Sequence, residues 1–177
     1  MKLEMIFSGV GGQGVMSIGE LYCGSVAKKD KIVTFCPTYG AEKRGGKTMC
    51  QIVVSDEMCA PVSSYVDLLM VMDEKSLNDY LGMIKPKGVL IVNSSIITKN
   101  IERNDIDVYR VPFNDMAVNA GNAKCANMIA LGSIMKFQDI LTLDELKAEL
   151  PEIFPGKKAK LITLNETALD LGFDIAN

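Results

Sequence analysis

Histidine and tryptophan are both missing from this 177-residue chain. The first absence removes the commonest general base and every Ser-His or Cys-His catalytic pair. It also removes the nitrogen ligand of most zinc sites. Five cysteines, Cys23, Cys36, Cys50, Cys59 and Cys125, stand at wide intervals with no C-x-x-C among them. Ligands for zinc or an iron-sulfur cluster are therefore not grouped, and an odd number of scattered cysteines fits free thiols better than a disulfide framework. No catalytic residue and no metal site is assigned to the chain.

No apolar run approaches the roughly 18 residues that suggest a membrane span. The N-terminal stretch MKLEMIFSGVGG has one lysine and an apolar run broken by Glu4, which does not make a secretory signal. A cytoplasmic location is expected. Positive charge is not in surplus either: 19 basic residues against 22 acidic ones leave a net charge of -3. Neither nucleic acid nor a membrane surface is an expected partner. No internal repeat, low-complexity tract or linker interrupts the chain, and 48% of its residues are hydrophobic. A chain of this length buries about 70% of its unfolded surface, so a single domain over residues 1–177 is expected.

Strands and helices alternate along the chain. Residues 3–7 predict a strand, and residues 13–29 a helix, with Val15, Ile18, Leu21, Tyr22 and Val26 at helical spacing. KIVTFC (31–36) is a second strand by its β-branched content, ended by Pro37, and TMCQIVVSD a third. VDLLMVMD (66–73) is a continuous apolar run bounded by acids, the pattern of a strand covered on both faces. A helix over 74–84, a turn at KPKG, and strands at 89–93 and 107–113 follow. One long helix is predicted over 115–137, interrupted by Gly121 and Gly132. Two shorter helices follow, one opening at Thr142 as N-cap and one over 158–171. The expected fold class is α/β: three layers, a largely parallel sheet with helices on both faces, a Rossmann-like first β-turn-α unit, and C-terminal helices.

Residues 9–14 read GVGGQG, with Gly9, Gly11 and Gly14 in the spacing of a dinucleotide fingerprint. A turn of this kind aims the first amides of the helix at the space above the sheet, and the glycines let an anion approach the backbone. A ligand-free tight turn that packs helix against strand uses the same residues. A dinucleotide fold also expects an acid at the end of the second strand, about 20 residues on, to hold the ribose hydroxyls. Here that strand ends in Thr34, Phe35, Cys36 and Pro37, while Asp30 precedes it. A stand-alone NAD or FAD site is thereby disfavoured.

The second glycine-rich loop, TYGAEKRGGK (38–47), gathers an aromatic ring, a carboxylate, an arginine and a glycine pair. Its plain reading is a solvated charged turn, with Gly45 and Gly46 starting a hairpin into the third strand. The other reading is a surface that grips a carboxylate, a phosphate or a partner through the fork of Arg44.

Together the stretches GVGGQGVMSIGELY, PTYGAEKRGGKTMCQIVVSD, KPKGVLIVNSS and AGNAKCANMIALGS resemble the gamma subunit of 2-oxoacid:ferredoxin oxidoreductases, over roughly residues 3–135. The resemblance places the family's G-x-G-G-Q-G loop on Gly9, Gly11, Gly12, Gln13 and Gly14. Its S/T-Y-G-x-E-x-R-G-G loop falls on Thr38, Tyr39, Gly40, Glu42, Arg44, Gly45 and Gly46, and its G-N-x-x-x-x-N-M segment on Gly121, Asn122, Asn127 and Met128. Residues of these motifs implied to face a cofactor are Gly9, Gly11, Gly12, Gln13, Gly14, Tyr39, Glu42, Arg44, Gly45, Gly46 and Asn127.

The resemblance implies membership of a complex that oxidatively decarboxylates a 2-oxoacid to an acyl-CoA while reducing ferredoxin. It implies no cofactor in this chain: thiamine diphosphate, Mg2+ and iron-sulfur clusters sit on partner subunits, and coenzyme A is a co-substrate of the complex. The sequence agrees with that division, since the G-D-G pattern of a thiamine diphosphate site, followed by paired asparagines, is absent. Implied partners are alpha, beta and a ferredoxin-like delta subunit, with ferredoxin met through the complex and the chain inactive alone. The second glycine loop favours 2-oxoglutarate or branched-chain 2-oxoacid types over pyruvate types, and 2-oxoglutarate is the preferred substrate. Two alternatives stay open: a stand-alone dinucleotide-binding oxidoreductase, and the beta subunit of an indolepyruvate:ferredoxin oxidoreductase.

Overall fold

The alternating apolar pattern of the first 112 residues folds into a sheet. A computed structural model describes residues 1–42 and 45–175, with the backbone alone for residues 157–159. Two compact units divide the chain, residues 1–112 and residues 113–177. Among the described residues the first unit holds β1 (Lys2–Val10), β2 (Ile32–Tyr39), β3 (Lys47–Ser55), β4 (Val66–Val71), β5 (Ile84–Asn93) and β6 (Asp107–Val111). Their spatial order is β2-β3-β1-β4-β5-β6. Strands β1, β4, β5 and β6 are parallel, whereas β3 runs against both of its neighbours, β1 and β2. The expected largely parallel sheet is thus a mixed one with a single reversed strand. The short β2–β3 connection is the cause, because parallel neighbours need a crossover of a dozen residues or more.

Helices cover both faces, as expected. Successive residues of β1 point to opposite sides of the sheet, and each side has its own cover. Phe7 meets Tyr22 of α1 (Val15–Val26) edge-on, with ring centroids 6.4 Å apart. In the same layer Gly19 lies so close to β2 and β3 that a Cβ would stand 2.7 Å from Cys50 Sγ and 2.8 Å from the Phe35 ring. Ile6 points the other way, into a cluster with Leu69, Val71, Leu90 and Val92 that is closed by Leu77 and Tyr80 of α2 (Glu74–Tyr80). Burial of each such aliphatic or aromatic side chain contributes about 1.5–3 kcal/mol.

Three local expectations are corrected. Strand β2 continues past Pro37 to Tyr39. It is an edge strand bonded only to β3, and a proline is tolerated where no second neighbour needs its N–H. The KPKG segment does not precede β5 but lies inside it, as an irregularity where the register with β4 shifts between Val66 and Leu68 and Lys87 takes φ 65°. The irregularity lets the strand continue with three extra residues on the β5 side, five residues from Ile84 to Val89 against two from Val66 to Leu68. The helix expected over 115–137 is broken into α3 (Phe113–Asn119) and α4 (Ala126–Met135), joined through a 3-10 turn at Ala123–Cys125. Gly121, at φ 88°, makes the break, a conformation that costs glycine little.

The second unit continues with α5 (Leu143–Ala148), α6 (Leu150–Ile153) and α7 (Ile162–Asp174). Thr142 caps α5 as expected: its hydroxyl accepts from Glu145 N, and Glu145 returns a bond to Thr142 N at 2.9 Å. Gly132 stays within α4, and it seats against the backbone of Leu169. Gly172 of α7 does the same against the backbone of Ile129, so these two helices touch main chain to main chain.

Two chemical features complete the fold. Cys23, Cys50 and Cys125 are buried. Burial raises the Cys23 thiol to about 12 and pushes the other two up as well, so all three remain protonated core thiols. Near the starts of β1, β4 and β5, Lys85 Nζ bridges Glu4 Oε2 at 2.6 Å and Asp67 Oδ1 at 2.7 Å. Asp67 Oδ2 accepts from Glu4 N at 2.9 Å, and Ser63 and Lys2 complete the shell of Glu4. Among the described residues no helix is long and apolar enough to cross a membrane.

Candidate ligand cleft

The first glycine loop is held in shape from within. Val10 N donates to Gln13 Oε1 at 2.8 Å, and Gln13 N donates to Val10 O at 3.2 Å. This folded-back glutamine explains Gly9, where a Cβ would stand 2.5 Å from Gln13 Oε1, 2.9 Å from Val15 Cγ2 and 3.0 Å from Met72 Cβ. Gly12 and Gly14 take φ 98° and 75°, and Gly14 delivers the chain into α1 without a side-chain cap. Gly14 O accepts from Ile18 N. The amides of Val15, Met16 and Ser17 therefore lie ahead of the first intrahelical bond, where a helix leaves its donors without a partner of its own.

Strand pairing brings the second loop to the first. The antiparallel register of β1 with β3 runs through Gly9↔Thr48 and Val10↔Lys47. Gly11 N then donates to Gly46 O at 2.8 Å, the next rung of the same ladder. A cleft of about 570 Å³ lies between the loops, lined by Gly11, Gly12, Gly14, Val15, Met16, Ser17, Tyr39, Gly40, Glu42, Gly45, Gly46, Lys47 and Thr48. Glu42 folds back over the hairpin, for a Cβ on Gly46 would stand 2.8 Å from its Oε2 and one on Gly40 would collide with the same oxygen. The glycines of this loop make room for that carboxylate.

Lys47 does not charge the cleft. Its Nζ pairs with Asp79 Oδ2 of α2 at 2.7 Å and sits 4.2 Å from the Tyr80 ring centroid. Burial works against its charge, but Asp79 and Tyr80 outweigh that and raise its pKa, while the same hydrogen bond lowers Asp79. Attraction for an anion within the described lining comes instead from the oriented amides at the start of α1.

The expected site residues divide accordingly. Gly11, Gly12, Gly14, Tyr39, Glu42, Gly45 and Gly46 come together around the cleft. Gly9 and Gln13 are not in its lining and shape the loop from behind. Asn127 belongs to the second unit, in the first turn of α4, and its Oδ1 accepts from Met128 N at 3.0 Å. Arg44 lies outside the described residues. Val15, Met16, Ser17, Gly40, Lys47 and Thr48 of the lining were not among the expected site residues; the first three were available as the opening turn of the helix after GVGGQG, Gly40 and Lys47 lie in the second glycine loop, and Thr48 is placed by the pairing of β1 with β3.

The family model for pyruvate ferredoxin/flavodoxin oxidoreductase matches residues 4–175. The chain belongs to that family. The ketoisovalerate oxidoreductase subunit VorA of Methanothermobacter thermautotrophicus is 28% identical to it over 178 residues, 99% of this chain and 36% of VorA. The 2-oxoglutarate synthase subunit KorC of Methanocaldococcus jannaschii is 28% identical over 181 residues, 99% of this chain and 95% of KorC. Among solved structures, the 2-oxoglutarate:ferredoxin oxidoreductase of Magnetococcus marinus, with 2-oxoglutarate, coenzyme A and succinyl-CoA bound, matches with a TM-score of 0.91 at 24% identity. That match covers 99% of this chain and 31% of the other and establishes the shared fold. This family member thus spans about a third of VorA, at 36%, and nearly all of KorC, at 95%. The likeness to gamma subunits read from the sequence is borne out.

Proposed function

We propose that this chain is the gamma-type subunit of a 2-oxoacid:ferredoxin oxidoreductase complex, with both compact units forming one gamma-type module. The observation that supports it most directly is the rung between Gly11 and Gly46, which joins the two family loops around an uncapped helix start. The module has no redox centre of its own. Thiamine diphosphate, Mg2+ and the iron-sulfur clusters belong to alpha, beta and ferredoxin-like delta partners, and coenzyme A is the co-substrate that the cleft faces. Its phosphates suit the amides of Val15, Met16 and Ser17, with Gly11, Gly12, Gly14, Gly45 and Gly46 allowing close approach. The family resemblance implies a ligand-facing role for Arg44 of the second glycine loop and, separately, for Asn127 of the second unit. The favoured reaction converts 2-oxoglutarate to its acyl-CoA with reduction of ferredoxin, in the cytoplasm; the match along nearly the whole of KorC supports that substrate.

Affinity purification of the tagged chain from its source tests the proposal. Co-purifying larger subunits, a brown cluster absorbance and viologen reduction that needs both 2-oxoglutarate and coenzyme A are the expected results. A colourless solitary monomer carrying NAD would overturn the proposal. Within an active complex, Arg44→Met is expected to raise the KM for coenzyme A.

A further inference from the structure

The outer side of β2 is open along a short stretch of backbone. Gly40 N donates to Lys47 O at 2.6 Å, and the antiparallel register of β2 with β3 repeats that bonded rung at Thr38, Cys36, Thr34 and Ile32. The amides of Val33 and Phe35 therefore point away from β3, to a side where no described strand meets them. The stretch is closed at both ends: Lys31 N folds back to donate to Lys29 O at 2.8 Å, and Pro37 has no N–H. Both faces beside it are occupied. Helix α1 lies over Phe35, and on the other face Pro61 O, in the loop between β3 and β4, accepts from Thr34 Oγ1 at 3.4 Å. Ile32, Val33, Thr34, Phe35 and Cys36 are nonetheless all only half-buried, so what they expose lies along the edge.

Free donors at Val33 and Phe35, with a blocked position two residues beyond each, make a pattern that reads the same in both directions about Thr34. A two-fold contact requires that symmetry, since each copy presents the same patch to the other. A strand of another sequence would gain nothing from it. Any charge near the axis would also meet its own copy, but β2 carries none, and Lys31 beside it is paired with Asp56. Two chains of net charge -3 can thus meet here without like charges opposed. An uncharged apolar edge is a template for a further strand. We propose that β2 pairs antiparallel with β2 of a second copy of this chain across a two-fold axis at Thr34, joining two six-stranded sheets into one. Val33 of each copy then exchanges both backbone bonds with Phe35 of the other, Thr34 faces Thr34, and Pro37 stands outside the bonded stretch. The pairing goes beyond the subunit assignment and does not depend on it.

Sedimentation and amide hydrogen exchange of the 177-residue chain, from micromolar to millimolar concentration, test the pairing. Twice the chain mass of 19.3 kDa is expected at high concentration and the single mass on dilution, with the amides of Val33 and Phe35 losing protection over the same range. Thr34→Lys and Thr34→Glu each set like charges opposite one another across the axis. Each alone is expected to stay monomeric, whereas an equal mixture of the two restores the doubled mass. Val33→Pro removes a donor that β3 does not use, and the loss of one bond from each copy is expected to weaken the dimer about thirtyfold. A wild-type chain of single mass throughout, a doubled mass with those two amides unchanged on dilution, or a mixture no more dimeric than its parts overturns the proposal. Protection of these amides only when larger subunits co-purify gives the edge to a different chain and overturns it as well. The exchange measurement is made on the wild-type chain, so it decides even where a variant fails to fold.

Discussion

Near the starts of β1, β4 and β5, charge is enclosed and matched: Glu4, 7% exposed, is held by Lys85, Lys2 and Ser63, and Asp67 shares the same ammonium. Where β1 ends, polar groups are left open, with α1 starting on an uncapped glycine and a cleft lying against its first amides. The contrast sets a closed end against an open end of one sheet. Ligands of α/β sheets sit beyond the carboxyl ends of the strands, and the opposite end is free to be tied shut.

The comparison breaks most directly at Lys85. Lys85→Met leaves a nearly buried carboxylate short of one of its partners and is expected to lower stability by about 2 kcal/mol in urea unfolding, without changing the KM for coenzyme A in the complex. Acid tests the same end. Burial alone would raise the pKa of Glu4, but hydrogen bonds from Lys2, Lys85 and Ser63 reverse this and hold it near 2, against an ordinary 4.5. A depressed carboxylate contributes stability above its unfolded pKa, and that contribution fades as pH falls from 4.5 toward about 2. The loss should reach about 2 kcal/mol once solvent screening of the partly exposed lysines is allowed for, and it should shrink in Lys85→Met.

The cleft end responds differently. Gly9→Ala forces a methyl toward Gln13, Val15 and Met72, with an expected cost of about 1.5 kcal/mol by thermal melting and a raised KM for coenzyme A. Gln13→Ala removes the acceptor for Val10 N, a loss of about 1 kcal/mol. Gln13→Glu retains an oxygen at that position and should recover most of it, which would show the glutamine acting on the loop rather than on a ligand.

Elements bounded by their own residues were legible in the sequence. Strand β1 runs into glycines, β4 carries the unbroken apolar run from Leu68 that lies between Asp67 and Asp73, and Thr142 and Glu145 write the capping box of α5 within four consecutive positions. What escaped depends on residues far along the chain. Pro37 ends a strand unless that strand lies at an edge, and only the placement of β3 beside β1 puts β2 there. Gly121 and Gly132 look alike in sequence, yet one breaks a helix through its φ while the other stays helical because Leu169 lies against it.

The site shows the same division. GVGGQG and TYGAEKRGG each stood out, but their contact required the reversed strand. That placement also accounts for the missing ribose acid, since the end of β2 is separated from β1 by β3.

The seat of Gly132 and Gly172 against opposing main chain has a consequence for the second unit. A contact made of backbone has no rotamers to rearrange, so a larger residue at either glycine cannot be absorbed by neighbours turning aside. It can be relieved only by moving one whole helix away from the other, and the joint between α4 and α7 therefore has a single setting.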